Sequence, residues 1–129
     1  MRKLIIMICF LALISGCCLE HKAPLQQSTE RVVEVRLVNN SDPENSTCRS
    51  LVGTEASDFM QDLQMLTCYK RWEPVGEFGP YEVHIIYSDA RVDILGSKAN
   101  GYIEGGEKVV SGWYYFEKEA FEGLFFKYQ

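Results

Sequence analysis

The chain has 129 residues, 47% hydrophobic and 12% aromatic, with a formal net charge of −5 at pH 7. That length supports one small domain with a real but modest core. The acidic balance argues against nucleic acid, which demands clustered Lys and Arg, and against direct docking on anionic lipid headgroups.

Arg2 and Lys3 are followed by the apolar run Leu4 to Ile14 and then by the small residues Ser15 and Gly16. Basic, apolar, small is the order of parts in a secretory signal peptide. The run is too short to span a bilayer, which takes about 20 residues. The closing residues Ile14-Ser15-Gly16-Cys17 resemble the lipobox of bacterial lipoproteins. The resemblance implies that residues 1–16 are a cleaved signal peptide and that Cys17 carries the lipid. Two or more acyl chains anchor a protein stably where one does not. Cys18, rather than Asp, follows the anchor, and the same resemblance then points to the outer membrane in a Gram-negative cell. The expected location is the cell envelope, on the extracytoplasmic side. Loss of Arg2 and Lys3 with the leader leaves the remaining chain more acidic still.

Residues 17–30 read as a lipidated N-terminus and flexible tether, because His21 to Thr29 is polar, contains Pro24 and shows no apolar period. Residues 31–129 read as the globular domain. Arg31 to Val38 alternates, with Val33, Val35 and Leu37 on one face, and predicts a half-buried strand. Asn39 to Ser46 predicts a turn and loop. Thr54 is the expected N-cap of a helix running to about Leu66, with Ala56, Phe59, Met60 and Leu63 at helical spacing. Tyr69 to Glu73 suggests a short strand.

Tyr81 to Tyr87 is the clearest strand, and Ser88-Asp89-Ala90 turns it into a hairpin partner over Arg91 to Leu95. Gly96 to Gly101 turns again before a short strand at Tyr102 to Glu104, and Gly105-Gly106 before a last strand at Val109 to Tyr115. Glu117 to Tyr128 places Ala120, Phe121, Leu124, Phe125 and Tyr128 on one face of a second helix, weakened by Gly123. Short connections favour an α+β fold, an antiparallel β-meander packed against two helices in a single small domain. The layout from Tyr81 onward is similar to that of several small bacterial lipoproteins. In them a strand hairpin with a Tyr-Ser-Asp turn precedes a Gly-Trp-Tyr-Tyr-like strand and a terminal helix.

Five cysteines occur. Cys9 leaves with the leader and Cys17 takes the lipid. In an oxidising compartment Cys48 and Cys68 form the natural disulfide, stapling both ends of the first helix at a gain of roughly 3 kcal/mol. Cys18 is left odd. No CxxC spacing occurs, so neither a metal nor a redox role is expected, and no cofactor is implied.

Trp113-Tyr114-Tyr115-Phe116 is the aromatic patch of interest. Trp113 and Tyr115 face one way and Tyr114 and Phe116 the other. Either one pair packs in the core while the other binds a partner, or both are buried. The candidate binding face is Trp113 with Tyr115. The expected function is a membrane-anchored protein-interaction or inhibitory module with an unknown protein partner. The alternative is a small-ligand binder or hydrolase with a cleft lined by His84, Asp89 and Asp93. In that alternative two carboxylates held close in a dry cleft would do acid–base work. The plainer account makes Asp89 a turn residue and His84, Asp93 and Glu104 ordinary strand positions.

Overall fold

The computed structural model describes residues 20–21, 25–71, 79–96, 102–103 and 113–129. Residues 1–16, Cys17, Cys18, Glu104 and the Gly105-Gly106 turn lie outside them. The elements in chain order are β1 (Glu20–His21), a 3₁₀ turn (Thr29–Arg31), β2 (Val32–Asn39), β3 (Thr47–Leu51) and α1 (Gly53–Met65). They continue with β4 (Cys68–Arg71), β5 (Tyr81–Tyr87), β6 (Val92–Gly96), β7 (Tyr102–Ile103), β8 (Trp113–Phe116) and α2 (Lys118–Tyr128).

The main sheet has the order β3-β2-β5-β6-β7, with every neighbouring pair antiparallel. A smaller antiparallel sheet has the order β1-β4-β8. Both helices pack on one face of the main sheet, α1 against β2 and α2 against β5. This is the α+β architecture that the residue pattern predicts.

The core follows directly from two periodicities. Along β5 the alternate residues Val83, Ile85 and Tyr87 point to the helices and are buried, as a period of two requires. On α1, Ala56, Phe59, Met60 and Leu63 recur every three or four residues and meet them. Phe121, Leu124 and Phe125 of α2 close the core. Ala120, expected on that stripe, is exposed. The helices are tied at the surface through Asp62. It accepts from Lys127 Nζ at 2.8 Å and from the Tyr128 hydroxyl at 2.6 Å, and these bonds hold its carboxyl below the ordinary range.

Four local features depart from the sequence reading. Val33 does not face the core: a bulge between Val32 and Glu34 shifts the register, so Val32 packs inward and Val33 is 50% exposed. Residues 47–51, to which the sequence pattern assigns no element, form the edge strand β3. Four of its five residues are exposed, so it carries no apolar alternation to read.

Thr54 is not the N-cap of α1. Val52 holds that position without a side-chain cap, and Gly53 enters the helix at φ +58°. Open space surrounds a Cβ built at Gly53. Gly53→Ala is therefore expected to cost only the left-handed backbone penalty, about 1 kcal/mol. Ala90 sits at φ +68° in the hairpin turn, where Tyr87 N–H bonds to the Arg91 carbonyl and Ala90 N–H to that of Tyr87. This is a three-residue turn closing on a left-handed residue, the position that glycine favours. Ala90→Gly is expected to stabilise the domain by roughly 0.5–1 kcal/mol. Urea midpoints of the two variants should move in opposite directions, and equal signs would show that backbone strain does not govern these turns.

The fourth correction is the Cys48–Cys68 disulfide: both thiols are free. Cys48 alternates with Leu51's face and lies on the exposed side of β3, next to Ser50, whereas Cys68 points into the core with no exposure. The sheet separates them. Spacing allowed the bridge, but the side-chain parity of an edge strand forbids it.

Candidate functional site

The residues read as a free tether are drawn into the fold over their described part. β1 pairs with β4, with Glu20 opposite Tyr69 and His21 opposite Cys68. Leu25 packs against the core. Ser28 accepts from the Glu30 amide and caps the 3₁₀ turn. Arg31 offers its carbonyl to the Ser88 amide at 2.8 Å. The domain therefore begins well before Arg31, and residues 25–31 form a docked arm beside the β5–β6 turn.

The arm is latched by two carboxylates of that hairpin. Gln27 Nε2 donates to both oxygens of Asp89 at 2.9 and 3.0 Å, on the surface. Asp89 is held below the ordinary carboxyl range, chiefly by this bond. Gln26 works inside. Its backbone N–H donates to Asp93 Oδ2 at 3.0 Å and its Nε2 to Oδ1 at 3.2 Å. The Tyr87 hydroxyl donates to Oδ2 at 2.5 Å.

Asp93 is 2% exposed and is the buried charged residue among those described. It shares its face of β6 with Leu95, opposite Ile85 and Val83. Burial raises its pKa against the pull of its hydrogen bonds. Burial, with the Asp93 bond second, also pushes the Tyr87 phenol up. Gln26 Oε1 and Gln27 Oε1 are buried without a hydrogen-bond partner among the described residues.

The opposite face of the sheet, which no helix among the described residues covers, carries a polar row. Arg36 grips Glu34 with two bonds of 2.8 and 3.1 Å, and Ser50 Oγ donates to the same carboxylate at 2.7 Å. His84 stands across from Arg36 and contacts Glu82 Oε2 through Nε2 at 2.8 Å. His84 is thus paired structurally, on the face away from Asp93.

The cleft of His84, Asp89 and Asp93 does not form. His84 and Asp93 point to opposite sides of the sheet, and Asp89 lies in the turn beside a shallow polar recess with Gln27, Ser28, Arg31 and Arg91. Asp93, expected to be a solvated strand position, is instead the buried partner of the arm. Its shared parity with Leu95 was the available signal, masked because Val92 and Ile94 make β6 apolar on both parities. Gln26 and Tyr87 were missed altogether.

A larger open groove of about 610 Å³ runs along α1, lined by Thr29, Glu30, Ser57, Met60, Gln61, Asp62, Gln64 and Met65. No cluster of three metal-ligating side chains occurs among the described residues, and none of their helices is long and apolar enough to cross a membrane.

The aromatic patch forms β8, at the edge of the smaller sheet, with Tyr115 opposite Tyr69 and Trp113 opposite Arg71 in register. Phe116 is buried and packs on Phe121 at 5.2 Å between ring centroids. The side chains of Trp113 and Tyr115 lie outside the described residues.

These features define a small α+β domain whose N-terminal arm is strapped to its central hairpin. No protein-family model, curated protein or solved structure matches the chain at a significant level.

Proposed function

We propose that the chain is a lipid-anchored envelope protein whose domain serves as a protein-interaction or inhibitory module. The Ile14-Ser15-Gly16-Cys17 segment supports the anchor and the extracytoplasmic location. The observation that carries the interaction reading is the position of β8. The aromatic strand stands at a sheet edge, with no strand on its outer side among the described residues. Such an edge offers backbone donors and acceptors to an extended partner segment, while alternate aromatic side chains supply specificity.

Two measurements test the two halves separately. Metabolic labelling with a fatty-acid probe is expected to mark the wild type and to be abolished in Cys17→Ala. Labelling that survives the change overturns the anchor. A photo-crosslinker at Tyr115 in intact cells is expected to give one dominant protein adduct that Trp113→Ala diminishes. An adduct indifferent to Trp113, or none from correctly folded protein, overturns the aromatic edge as the contact surface.

A further inference from the structure

The Asp93 latch contains a mismatch of donors and acceptors. Three donors converge on the carboxyl: the Tyr87 hydroxyl, the Gln26 amide N–H and Gln26 Nε2. Yet Gln26 Oε1, on the same carboxamide that touches Asp93, is buried and receives no donor among the described residues. An unpaired buried acceptor costs about 1–3 kcal/mol. A buried carboxylate without a cation beside it also retains a desolvation cost.

One change removes the buried charge and supplies the missing donor. If Asp93 takes a proton from solvent on Oδ1, it gains an O–H donor. A half-turn of the Gln26 carboxamide brings Oε1, in the place of Nε2, to that proton. Oδ2 keeps the Tyr87 hydroxyl and the Gln26 backbone N–H, so the neutral carboxyl is hydrogen-bonded through both oxygens. We propose that Asp93 and Gln26 form a proton-binding site, in which protonation of the carboxyl completes the latch and tightens the docked arm.

The surroundings agree. Among the described residues, Tyr87 from β5 and Gln26 from the arm are the polar groups hydrogen-bonded to Asp93. Its register neighbours are Ile85 on β5 and Ile103 on β7. Of the charged groups of the adjoining turn and arm, Asp89, Arg91 and Arg31 line the surface recess instead, and Glu30 lines the groove along α1. Among the described residues no cation is hydrogen-bonded to Asp93 to favour its ionised form, and burial raises its pKa despite three donors. The direction of the effect follows from that sign. A carboxyl whose folded value is raised binds its proton more tightly folded than unfolded. Its stabilisation is complete below the ordinary carboxyl value of about 3.9 and is lost as pH rises through the folded value. The proposal stands on the arm's geometry and does not depend on the lipid anchor.

The test is a carbon-detected NMR titration of the Asp93 carboxyl in the folded protein, with the Gln26 backbone amide as reporter of the arm. The Asp93 midpoint is expected above the ordinary carboxyl range, and the Gln26 amide is expected to shift and to exchange faster with the same midpoint. Gln26→Ala, which admits water, is expected to lower the Asp93 midpoint. Asp93→Asn mimics the protonated pair, with Nδ2 donating to the turned Gln26 Oε1. Its unfolding constant should match wild type in acid. The advantage over wild type should grow by about tenfold per pH unit through the window between unfolded and folded values. An Asp93 midpoint at or below the ordinary value overturns the proposal, as does a Gln26 amide indifferent to that titration.

Discussion

Replacing Phe59 by alanine is expected to lower the unfolding free energy by about 3–5 kcal/mol. Phe59 is fully buried and lies where the main sheet, α1 and α2 converge. Its ring meets Tyr128 edge-on, 5.2 Å between centroids and 76° between planes, the arrangement in which an aromatic pair adds to plain burial. Truncation leaves a cavity and releases the end of α2 at once. A domain of this size has about 5–15 kcal/mol in total, so the loss is a large fraction. Phe126, 50% exposed on α2, is the control, and Phe126→Ala should cost less than about 1 kcal/mol. Urea titrations with unchanged m-values would check both. Equal costs would mean that the core does not centre on the α1–α2–sheet junction.

The second large effect concerns the thiols. Cys68 is expected to resist alkylation in the folded protein and to react only on unfolding. Its pKa is pushed up to about 12 by burial, against about 8.5 for a free thiol. The thiolate is the nucleophile, so this alone lowers the reactive fraction by roughly a thousandfold. Closed packing reduces access further. Cys48, exposed on β3, should react directly. Peptide mapping after brief iodoacetamide treatment, with and without prior reductant, would read this out. Labelling of Cys48 that requires reductant would return the question to a bridged pair, and equal labelling of both without reductant would overturn the burial of Cys68. The same experiment predicts that reductant leaves the thermal midpoint unchanged, where loss of a bridge closing a 20-residue loop would cost roughly 3 kcal/mol.

The parts of this fold that were legible in the residues are those that obey one period on one face. Tyr81 to Tyr87 alternates cleanly because β5 is packed by helices on one side and by a polar row on the other. Ala56, Phe59, Met60 and Leu63 announce α1 for the matching reason. The pattern fails where tertiary context decides. β3 buries only Leu51, so nothing in Thr47-Cys48-Arg49-Ser50 marks a strand. The bulge that turns Val33 outward is a register event between strands, invisible within one of them. The cysteine pair illustrates the same limit: separation along the chain was suitable, while the sides of the sheet on which the thiols fall were not readable. At the candidate site Asp89 was legible as a turn residue. Asp93 was not legible as a buried group, because its value depends on Gln26, almost seventy positions away and disguised by a polar, proline-containing stretch.

The docked arm also decides how the domain meets mechanical load. A pull from the N-terminal side arrives first at β1, a two-residue pairing that should peel away under little force. The arm takes the tension next and hands it through Arg31, Gln26 and Gln27 to the β5–β6 hairpin. β5 is the middle of five strands, flanked by β2 and β6. Force therefore enters the fold at its best-braced member, after a weak link that gives way harmlessly. A domain tethered to a moving surface would be strained at its leash before its core.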